Sequence, residues 1–367
     1  LLFAGLGLGF ALLYSEPLYP DALSPALILL SSVGAAGSLA WFLSLQPHTP
    51  RPLVRILLSL SLIADLGAVG HSLLELRSAG MVAQEGLAAA TWAAAQEPPF
   101  PGPYRVYSPS LSIPQHTGAR LGLEQVNGVD PNQIRWVADY VELASGCPAT
   151  GYGVTLPHVP HGSSPTTACR GATPNTGLLG ALNACFVVAD YPLQAQGLAP
   201  AGQAEGTYHY RNERCLPRAY LMTRAEPASS WQEAQVRLTN GHDPTQSVWV
   251  EDGQALTGSP GWQPATIRDR SPNQITIDAE TAEPALLVLS EVWYPGWQAT
   301  VDGIEQPIVR VNGLLRGIYL DRGAHSVVWR YRPFSLRWGA AITACALGGW
   351  LLAALLARRP RRRERGP

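Results

Sequence analysis

The sequence predicts a membrane protein in which α-helical spans precede an outward-facing α+β region that ends in a β-sandwich-like module. Apolar runs of membrane-spanning length lie near both ends of the chain, outside residues 75–334. Strand-like runs separated by turn residues fill residues 228–333. Arginine is concentrated in short segments beside the apolar runs, which is typical of the cytoplasmic side of a membrane.

Residues 1–74 are predicted to be transmembrane helices, of which the first is truncated. The apolar run Leu1–Leu13 reaches only about 20 Å as a helix, whereas the hydrocarbon core of a bilayer is about 30 Å thick. A signal peptide is the alternative, but the run has neither a basic region before it nor a small-residue cleavage site after it. Two longer apolar runs follow, Ala26–Leu45 and Leu53–Leu74.

The C-terminal end contains a further predicted span, residues 335–357, and a basic tail, residues 358–367. The tail has six Arg, and the loop at 46–55 is also basic, so the positive-inside rule places both in the cytoplasm. Residues 75–334 then face outward, in agreement with the number of crossings. We therefore expect a multi-pass protein of the bacterial cytoplasmic membrane, whose partner is the lipid bilayer.

The composition excludes nucleic acid as a partner. All 26 basic residues of the chain are Arg, which is typical of a high-GC genome. Residues 75–334 contain 23 Asp and Glu against 17 Arg, and are therefore acidic. A nucleic-acid-binding surface needs a basic stripe, and the sequence has none outside the tail.

Four cysteines of the outward region are candidates for disulfides, because the space outside the cytoplasmic membrane is oxidising. Cys147, Cys169, Cys185 and Cys215 allow three pairings. We favour Cys147 with Cys169, which closes a segment rich in Gly, Pro, Ser and Thr. Cys185 then pairs with Cys215 or both stay free, since Cys185 also suits the interior of an apolar strand.

The outward region is predicted to have two parts, residues 75–226 and 227–334. The first part mixes strand-like runs, such as Ala184–Ala189, with a helical spacing of apolar residues over Asp130–Leu143. The second part is all-β in character and predicts a β-sandwich, with Asp302-Gly303 as a hairpin turn. Its strand-like runs are Ser247–Val250, Gln274–Ile277, Ala285–Leu289, Gln298–Val301, Ile318–Leu320 and Ser326–Tyr331.

Motifs that indicate a particular chemistry are scarce. The sequence has no phosphate-binding glycine loop, no Gly-x-Ser-x-Gly and no His-Glu-x-x-His. His158, His161 and Cys169 have a loose metal-like spacing, but a zinc site needs more ligands and a defined partner pair. The residues therefore predict no metal site and identify no cofactor.

Several short motifs nevertheless occur in a characteristic order. They are Asp65 in the span before the outward domain, Arg105-Val, Asn127-Gly-Val-Asp-Pro131 with Tyr140 after it, Leu178-Leu with Leu182-Asn-Ala-Cys-Phe-Val-Val188, Asn212 with Leu216-Pro-Arg-Ala219, and Tyr294-Pro-Gly-Trp297 with Asp302-Gly303. In this order they resemble the bacterial YfhO-type polytopic membrane proteins. That family has Asn-Gly-Tyr-Asp-Pro where this chain has Val129. The landmarks cover nearly the whole chain.

The resemblance implies similarity to GT-C glycosyltransferases, which are multi-span enzymes that transfer a sugar from a polyprenyl-phosphate carrier on the outer face of the membrane. The implied donor is a polyprenyl-phosphate sugar. The implied acceptor is an envelope polysaccharide or a teichoic-acid-like polymer. In GT-C folds the catalytic acid lies in the first outward loop, so we expect that loop upstream of this chain, which corresponds to the C-terminal part.

Three carboxylates within residues 1–74 are candidates for this chemistry. Glu16 and Asp21 are catalytic acids if their loop is the first outward one, because glycosyl transfer needs a carboxylate near the acceptor hydroxyl. Otherwise they are solvated loop residues. Asp65 lies within a span, where a costly carboxylate either contacts substrate or carrier or pairs with another helix.

Four residues of the outward region are candidates for binding a sugar. Asn127 and Asp130 offer an amide and a carboxylate, although Asn-Gly and Asp-Pro also form turns and Asp130 also suits a helix cap. Trp293 and Trp297, with Tyr294 between them, offer faces that suit the apolar faces of sugars. Aromatic residues also fill the cores of sandwiches, which is the alternative.

Two hypotheses about function follow. The first is an enzyme: the C-terminal portion of a GT-C-type envelope glycosyltransferase whose outward domain recognises the acceptor. The second is a non-catalytic extracytoplasmic glycan-binding or scaffolding membrane protein. Paired acids in an outward loop after the first span would favour the enzyme.

Overall fold

The computed structural model describes residues 77–148, 153–160, 162–239 and 242–357, with five isolated earlier positions. The predictions for residues 1–74 and 358–367, including those for Glu16, Asp21 and Asp65, lie outside the described residues. The chain divides into two units after Val82, and every strand named below belongs to the second unit.

Short helices and strands alternate in the first part of the described chain, and strands predominate later. In chain order, the described helices are α1 (Ala79–Gln84), α2 (Leu87–Ala94), α3 (Gln115–Arg120), α4 (Arg135–Ser145), α5 (Pro165–Cys169), α6 (Thr176–Ala181), α7 (Trp231–Thr239) and α8 (Phe334–Ala357). The strands are β1 (Arg105–Tyr107), β2 (Glu124–Gln125), β3 (Gly128–Val129), β4 (Thr155–Leu156), β5 (Ala184–Ala189), β6 (Leu198–Ala204), β7 (Thr207–Asn212), β8 (Ala219–Ala228), β9 (Val248–Glu251), β10 (Leu256–Pro264), β11 (Thr266–Ser271), β12 (Gln274–Thr281), β13 (Ala285–Val292), β14 (Trp297–Val301), β15 (Ile304–Gln306), β16 (Val309–Val311), β17 (Leu315–Leu320) and β18 (Gly323–Tyr331). The architecture is therefore α+β, as predicted.

The first sheet has five strands in the order β2-β1-β5-β7-β6. β1 runs parallel to β2 and β5, whereas β7 is antiparallel to β5 and β6. Every residue of β5 is buried because both of its faces are covered. Phe186 and Val188 pack with the alanines of α2, while Val187 and Ala189 belong to the main core. The predicted strand Ala184–Ala189 is confirmed.

Two further sheets share an apolar core. The central one has the strand order β10-β8-β13-β17-β16-β9, and the outer one has the order β11-β12-β18-β14-β15. Leu287 of the central sheet and Ile277, Val327 and Trp329 of the outer sheet lie in the same buried cluster. The other face of the central sheet packs against α4, α6 and α7. Since β8 begins at Ala219, the central sheet draws on residues before position 227.

Helix α4 begins later than its apolar spacing predicts. The prediction placed the helix over Asp130–Leu143, and the helix runs from Arg135 to Ser145. The Asp130 backbone N–H donates to the Val154 carbonyl, and one Asp130 carboxylate oxygen accepts from the Asn132 N–H at 2.8 Å. Asp130 therefore belongs to a turn beside β3, and Ile134 occupies the N-cap position of α4.

Two disulfides are present in the described residues. Cys147 joins Cys169, the pairing favoured from the sequence, and Cys185 joins Cys215. In each bridge the Cα atoms are 4.9 Å apart. Disulfides persist in oxidising compartments, so the pair indicates an extracytoplasmic location for this region.

The predicted helix at 335–357 forms as α8, but its prediction as a membrane span is not confirmed. Large apolar side chains are exposed along α8, among them Phe334, Trp338 and Ile342. Within the part of the chain that the structure describes, no helix combines the length and the apolar content that crossing a bilayer requires.

Candidate functional site

An aromatic loop links the central sheet to the outer sheet. It consists of residues 293–297, between β13 and β14, and hydrogen bonds hold both of its ends. The Trp293 N–H donates to the Leu314 carbonyl at 2.7 Å, and the Gly296 carbonyl accepts from the Arg332 N–H at 2.7 Å. Gly296 has φ of 102°, where a side chain is strained, and a Cβ there would lie 3.0 Å from Pro333 Cα. The loop conformation therefore requires glycine at this position.

This loop forms one wall of a groove of about 210 Å³, which we call the aromatic groove. Tyr294 is 43 % exposed, so its ring is available to a ligand. Amide and carboxylate side chains also line the groove. The lining residues are Trp293, Tyr294, Pro295, Trp297, Gln298, Glu305, Gln306, Pro307 and Ile308.

A buried arginine supports Trp293. The guanidinium of Arg310 lies 4.1 Å from the centre of the Trp293 ring and 4.8 Å from that of Trp136. Arg310 is 8 % exposed, and its Nε lies 3.2 Å from a carboxylate oxygen of Glu251. Burial lowers the pKa of Arg310, and the charge of Glu251 opposes that change. The cation holds the indole against α4.

Trp297 rests on a second buried arginine. The Arg316 guanidinium lies 3.8 Å from the centre of the Trp297 ring and 5.7 Å from that of Trp329. The ring of Tyr331 lies 5.3 Å from the Trp297 ring. Arg310 and Arg316 are directly opposed on β16 and β17. Residues opposed on neighbouring strands point to the same face, so one pair of cations underlies both tryptophans.

Arg316 also borders a cluster of charged side chains, which we call the arginine cluster: Arg105, Arg218, Arg270 and Arg316 with Glu124 and Glu291. Arg105 lies 3.2 Å from a Glu291 carboxylate oxygen and donates to the Ser290 carbonyl at 2.8 Å. Arg218 bonds to Glu124 and lies 3.7 Å from Glu291. Arg270 contacts both carboxylates. The cluster therefore connects the first sheet with the two others.

Burial and mutual repulsion perturb these groups. Burial, followed by the charge of Arg105, lowers the pKa of Arg218 to about 10. Burial also lowers the pKa of Arg316 to about 10, against the attraction of Glu291. Burial alone would raise the pKa of Glu124, but the hydrogen bond from Arg270 and the neighbouring arginine charges bring it below its usual value. All these groups are charged at neutral pH.

The structure separates the predicted sugar-binding residues into two places. Trp293 and Trp297 line the aromatic groove. Asn127 is only 4 % exposed, and its side-chain oxygen accepts from the Ser108 N–H at 2.6 Å, so it stabilises the fold. Asp130 lies at the surface in the turn beside β3. Asn127 and Asp130 stay sugar-binding predictions, and neither lines the aromatic groove.

Two arginines of the cluster belong to the ordered motifs of the sequence, but their proximity was not predicted. Arg105 begins the Arg-Val motif, and Arg218 belongs to Leu216-Pro-Arg-Ala219. Glu291 lies two residues before the aromatic loop, near the end of β13. A charged residue at the end of an apolar strand indicates that it has a partner. It does not identify that partner, which for Arg105 is Glu291, 186 residues away.

A larger cavity, of about 560 Å³, lies on the outer sheet and has both charged and apolar side chains in its lining. Its lining includes Asp278, Asp302 and His325. His325 Nδ1 lies 2.7 Å from an Asp302 carboxylate oxygen, and His325 Nε2 lies 3.0 Å from the Asp321 carbonyl. Among the described residues, no three His, Cys, Asp or Glu side chains are grouped as a metal ion requires.

Known proteins resemble the chain only to a limited extent. The chain matches no protein-family model and no curated protein. It is similar to the arabinofuranosyltransferase AftD from Mycobacteria, a structure determined by single-particle cryo-EM, with 24 % sequence identity and a TM-score of 0.23. The similarity covers 29 % of this chain and 8 % of that chain. A partial likeness of this size carries no argument about function.

Proposed function

We propose that the described domain recognises a glycan in the aromatic groove. The observation that carries the proposal is the placement of Trp293, Tyr294 and Trp297 along one wall, with Gln298 and Glu305 among the polar groups of the lining. Aromatic faces suit the C–H faces of sugar rings. An amide both donates hydrogen bonds to sugar hydroxyls and accepts them, and a carboxylate accepts them. A concave site with few polar groups among apolar ones is the usual form of a small-ligand site.

The wider proposal is that this domain presents an acceptor to a membrane glycosyltransferase of the YfhO type. In this proposal the acceptor is an envelope polysaccharide or a teichoic-acid-like polymer, and the donor is a polyprenyl-phosphate sugar. The multi-pass arrangement, with the domain outside and the basic tail in the cytoplasm, is part of the same proposal. The motif order and the two disulfides support it.

We assign recognition, and not the transfer chemistry, to the aromatic groove. The resemblance implies that the catalytic acid lies in the first outward loop, upstream of this chain, and not among the lining residues of the groove, of which Glu305 is the one carboxylate. A non-catalytic glycan-binding protein is therefore the second candidate. The aromatic groove supports this second candidate equally well. The two candidates differ in one property: only the first transfers sugar to the glycan that it binds.

Glycan binding is tested by isothermal titration of the protein with soluble oligosaccharides prepared from envelope polymers. Tyr294→Ala removes an exposed ring from the groove and is expected to weaken binding roughly five- to tenfold, since one aromatic contact contributes about 1 kcal/mol. Phe334→Ala is the matched control, because it removes an exposed ring outside the groove. Equal losses in the two variants, or no binding by the unaltered protein, would contradict the proposal.

A further inference from the structure

The arginine cluster contains more positive charge than its carboxylates balance. It contains four guanidiniums, those of Arg105, Arg218, Arg270 and Arg316, and two carboxylates, those of Glu124 and Glu291. The cluster therefore carries a net charge of about +2. Burying a charge that lacks a counter-ion costs several kcal/mol, so an excess of this size needs a compensating group.

Two buried guanidiniums also have donors to spare. Arg316 is 3 % exposed, and its Nε and Nη1 find no hydrogen-bond acceptor among the residues that the structure describes. Arg218 is 2 % exposed, and its Nε likewise makes no hydrogen bond to a described residue. The rings of Trp297 and Trp329 stabilise the cation of Arg316. The N–H groups of a guanidinium lie in its plane, so a ring stacked on its face does not accept their hydrogen bonds.

The cluster has an exposed side and a side that borders the aromatic groove. The side chains of Glu124 and Arg270 are each 34 % exposed, so solvent reaches the cluster between β2 and β11. On the other side Arg316 stacks on Trp297, which lines the groove. A ligand that occupies the groove is therefore one indole ring away from the guanidiniums.

We propose that the arginine cluster binds an oxyanion, a phosphate or carboxylate group, and that the glycan of the aromatic groove is an acidic one that carries it. The second half rests on the proposed function. Guanidinium is suited to the role because its planar N–H groups match the oxygens of phosphate and carboxylate in pairs. Glu124 competes for the same donors, since it already accepts from Arg218 and Arg270.

The first experiment titrates the full chain with inorganic phosphate at constant ionic strength. Arg270→Ala is expected to weaken phosphate binding roughly tenfold, because it removes a charge-assisted hydrogen bond. Glu124→Gln is expected to tighten binding, because it removes the competing carboxylate. Arg268→Ala is the matched control: Arg268 lies on the same strand, its side chain is 58 % exposed, and it pairs with Asp278 outside the cluster. Thermal unfolding of each variant confirms that it is folded.

Arg270→Ala is expected to weaken phosphate binding and Glu124→Gln to tighten it. Opposite effects of this kind, together with no effect of Arg268→Ala, distinguish a specific oxyanion site from a general electrostatic attraction. Phosphate binding that does not saturate, or an equal loss in Arg268→Ala and Arg270→Ala, overturns the oxyanion site. This result leaves the glycan proposal intact if oligosaccharides still bind.

The second experiment compares a neutral oligosaccharide with a glucuronate-containing one of the same length on the unaltered protein. We expect the acidic sugar to bind at least tenfold more tightly than the neutral one. Free phosphate is expected to weaken binding of the acidic sugar and to leave binding of the neutral sugar unchanged. Equal affinities would overturn the acidic-glycan inference while the proposed function stands. Saturable phosphate binding without binding of either sugar would support the oxyanion site and contradict the proposed function.

Discussion

The rings of Trp293 and Trp297 owe their positions to Arg310 and Arg316. Each indole ring lies about 4 Å from a buried guanidinium. The attraction between the cation and the ring face holds the ring in place. Rings held in this way lose little freedom when a ligand binds, and preorganisation of this kind strengthens binding. The sequence identified the aromatic residues as candidate sugar contacts, whereas it did not indicate the cations on which they rest.

The pair Asp302 and His325 gives a residue-scale prediction of pH dependence. The hydrogen bond that the His325 ring donates to the Asp302 carboxylate raises the pKa of His325, and hydrogen bonds from the Ser326 N–H and from His325 lower the pKa of Asp302. The contribution of His325 to stability is complete below its ordinary pKa of 6.5 and is lost as pH rises through the raised value. The contribution of Asp302 is complete above its ordinary pKa of 3.8 and is lost as pH falls through the lowered value.

We therefore expect Asp302→Asn to lower the pKa of His325 and to destabilise the protein most near pH 5. Ring-proton NMR titration measures the pKa of His325, and thermal unfolding at several pH values measures the loss. An unchanged pKa for His325, or a loss that is the same at pH 5 and pH 9, would contradict the pairing.

At the scale of elements, the disulfide between Cys147 and Cys169 ties the end of α4 to the end of α5. The bond spans 22 residues, and closing a loop of that length stabilises a fold by about 3 kcal/mol through the entropy of the unfolded chain. The double substitution Cys147→Ser with Cys169→Ser is expected to lower the free energy of unfolding by that amount. Urea denaturation without reductant measures it. Cys345→Ser is the control, since Cys345 is free and exposed, and an equal effect there would refute the prediction.

At the scale of strands, prediction succeeded where apolar residues alternate or form a short continuous run. The runs predicted at Gln274–Ile277 and Ser326–Tyr331 lie in β12 and β18, whose buried residues face the shared core. β10 and β11 were missed because they are largely exposed and contain glycine, proline or charged residues. Pairing with a neighbouring strand, which a single sequence does not display, determines that they are extended.

At the scale of the whole molecule, the arginine cluster is the clearest feature that sequence reasoning could not supply. Five of its members lie on β1, β2, β11, β13 and β17, and Arg218 directly precedes β8. Their meeting depends on the order of strands in three sheets, and periodicity within each strand does not determine that order. The residue types were visible in the sequence, but their proximity follows only from the complete topology.

Removal of one carboxylate tests how far the arginine cluster stabilises the fold. Glu291→Gln leaves Arg105 and Arg218 with Glu124 as their remaining carboxylate partner. We expect a loss of about 2 kcal/mol in the free energy of unfolding, less than for a fully buried pair because the Glu291 side chain is 18 % exposed. Chemical denaturation measures the loss, with the exposed Glu280→Gln as the control. Equal effects of the two variants would show that the cluster contributes only net charge.

The most direct test of glycan recognition is to follow the indole N–H signals of the protein by NMR during titration with an envelope-derived oligosaccharide. Substitution of single tryptophans by phenylalanine assigns the signals. We predict that the signals of Trp293 and Trp297 shift along one saturable curve, while that of Trp249, which is 8 % exposed and packs on the helical side of the central sheet, stays in place. Saturable binding that leaves Trp293 and Trp297 unchanged would place the glycan elsewhere and contradict the account.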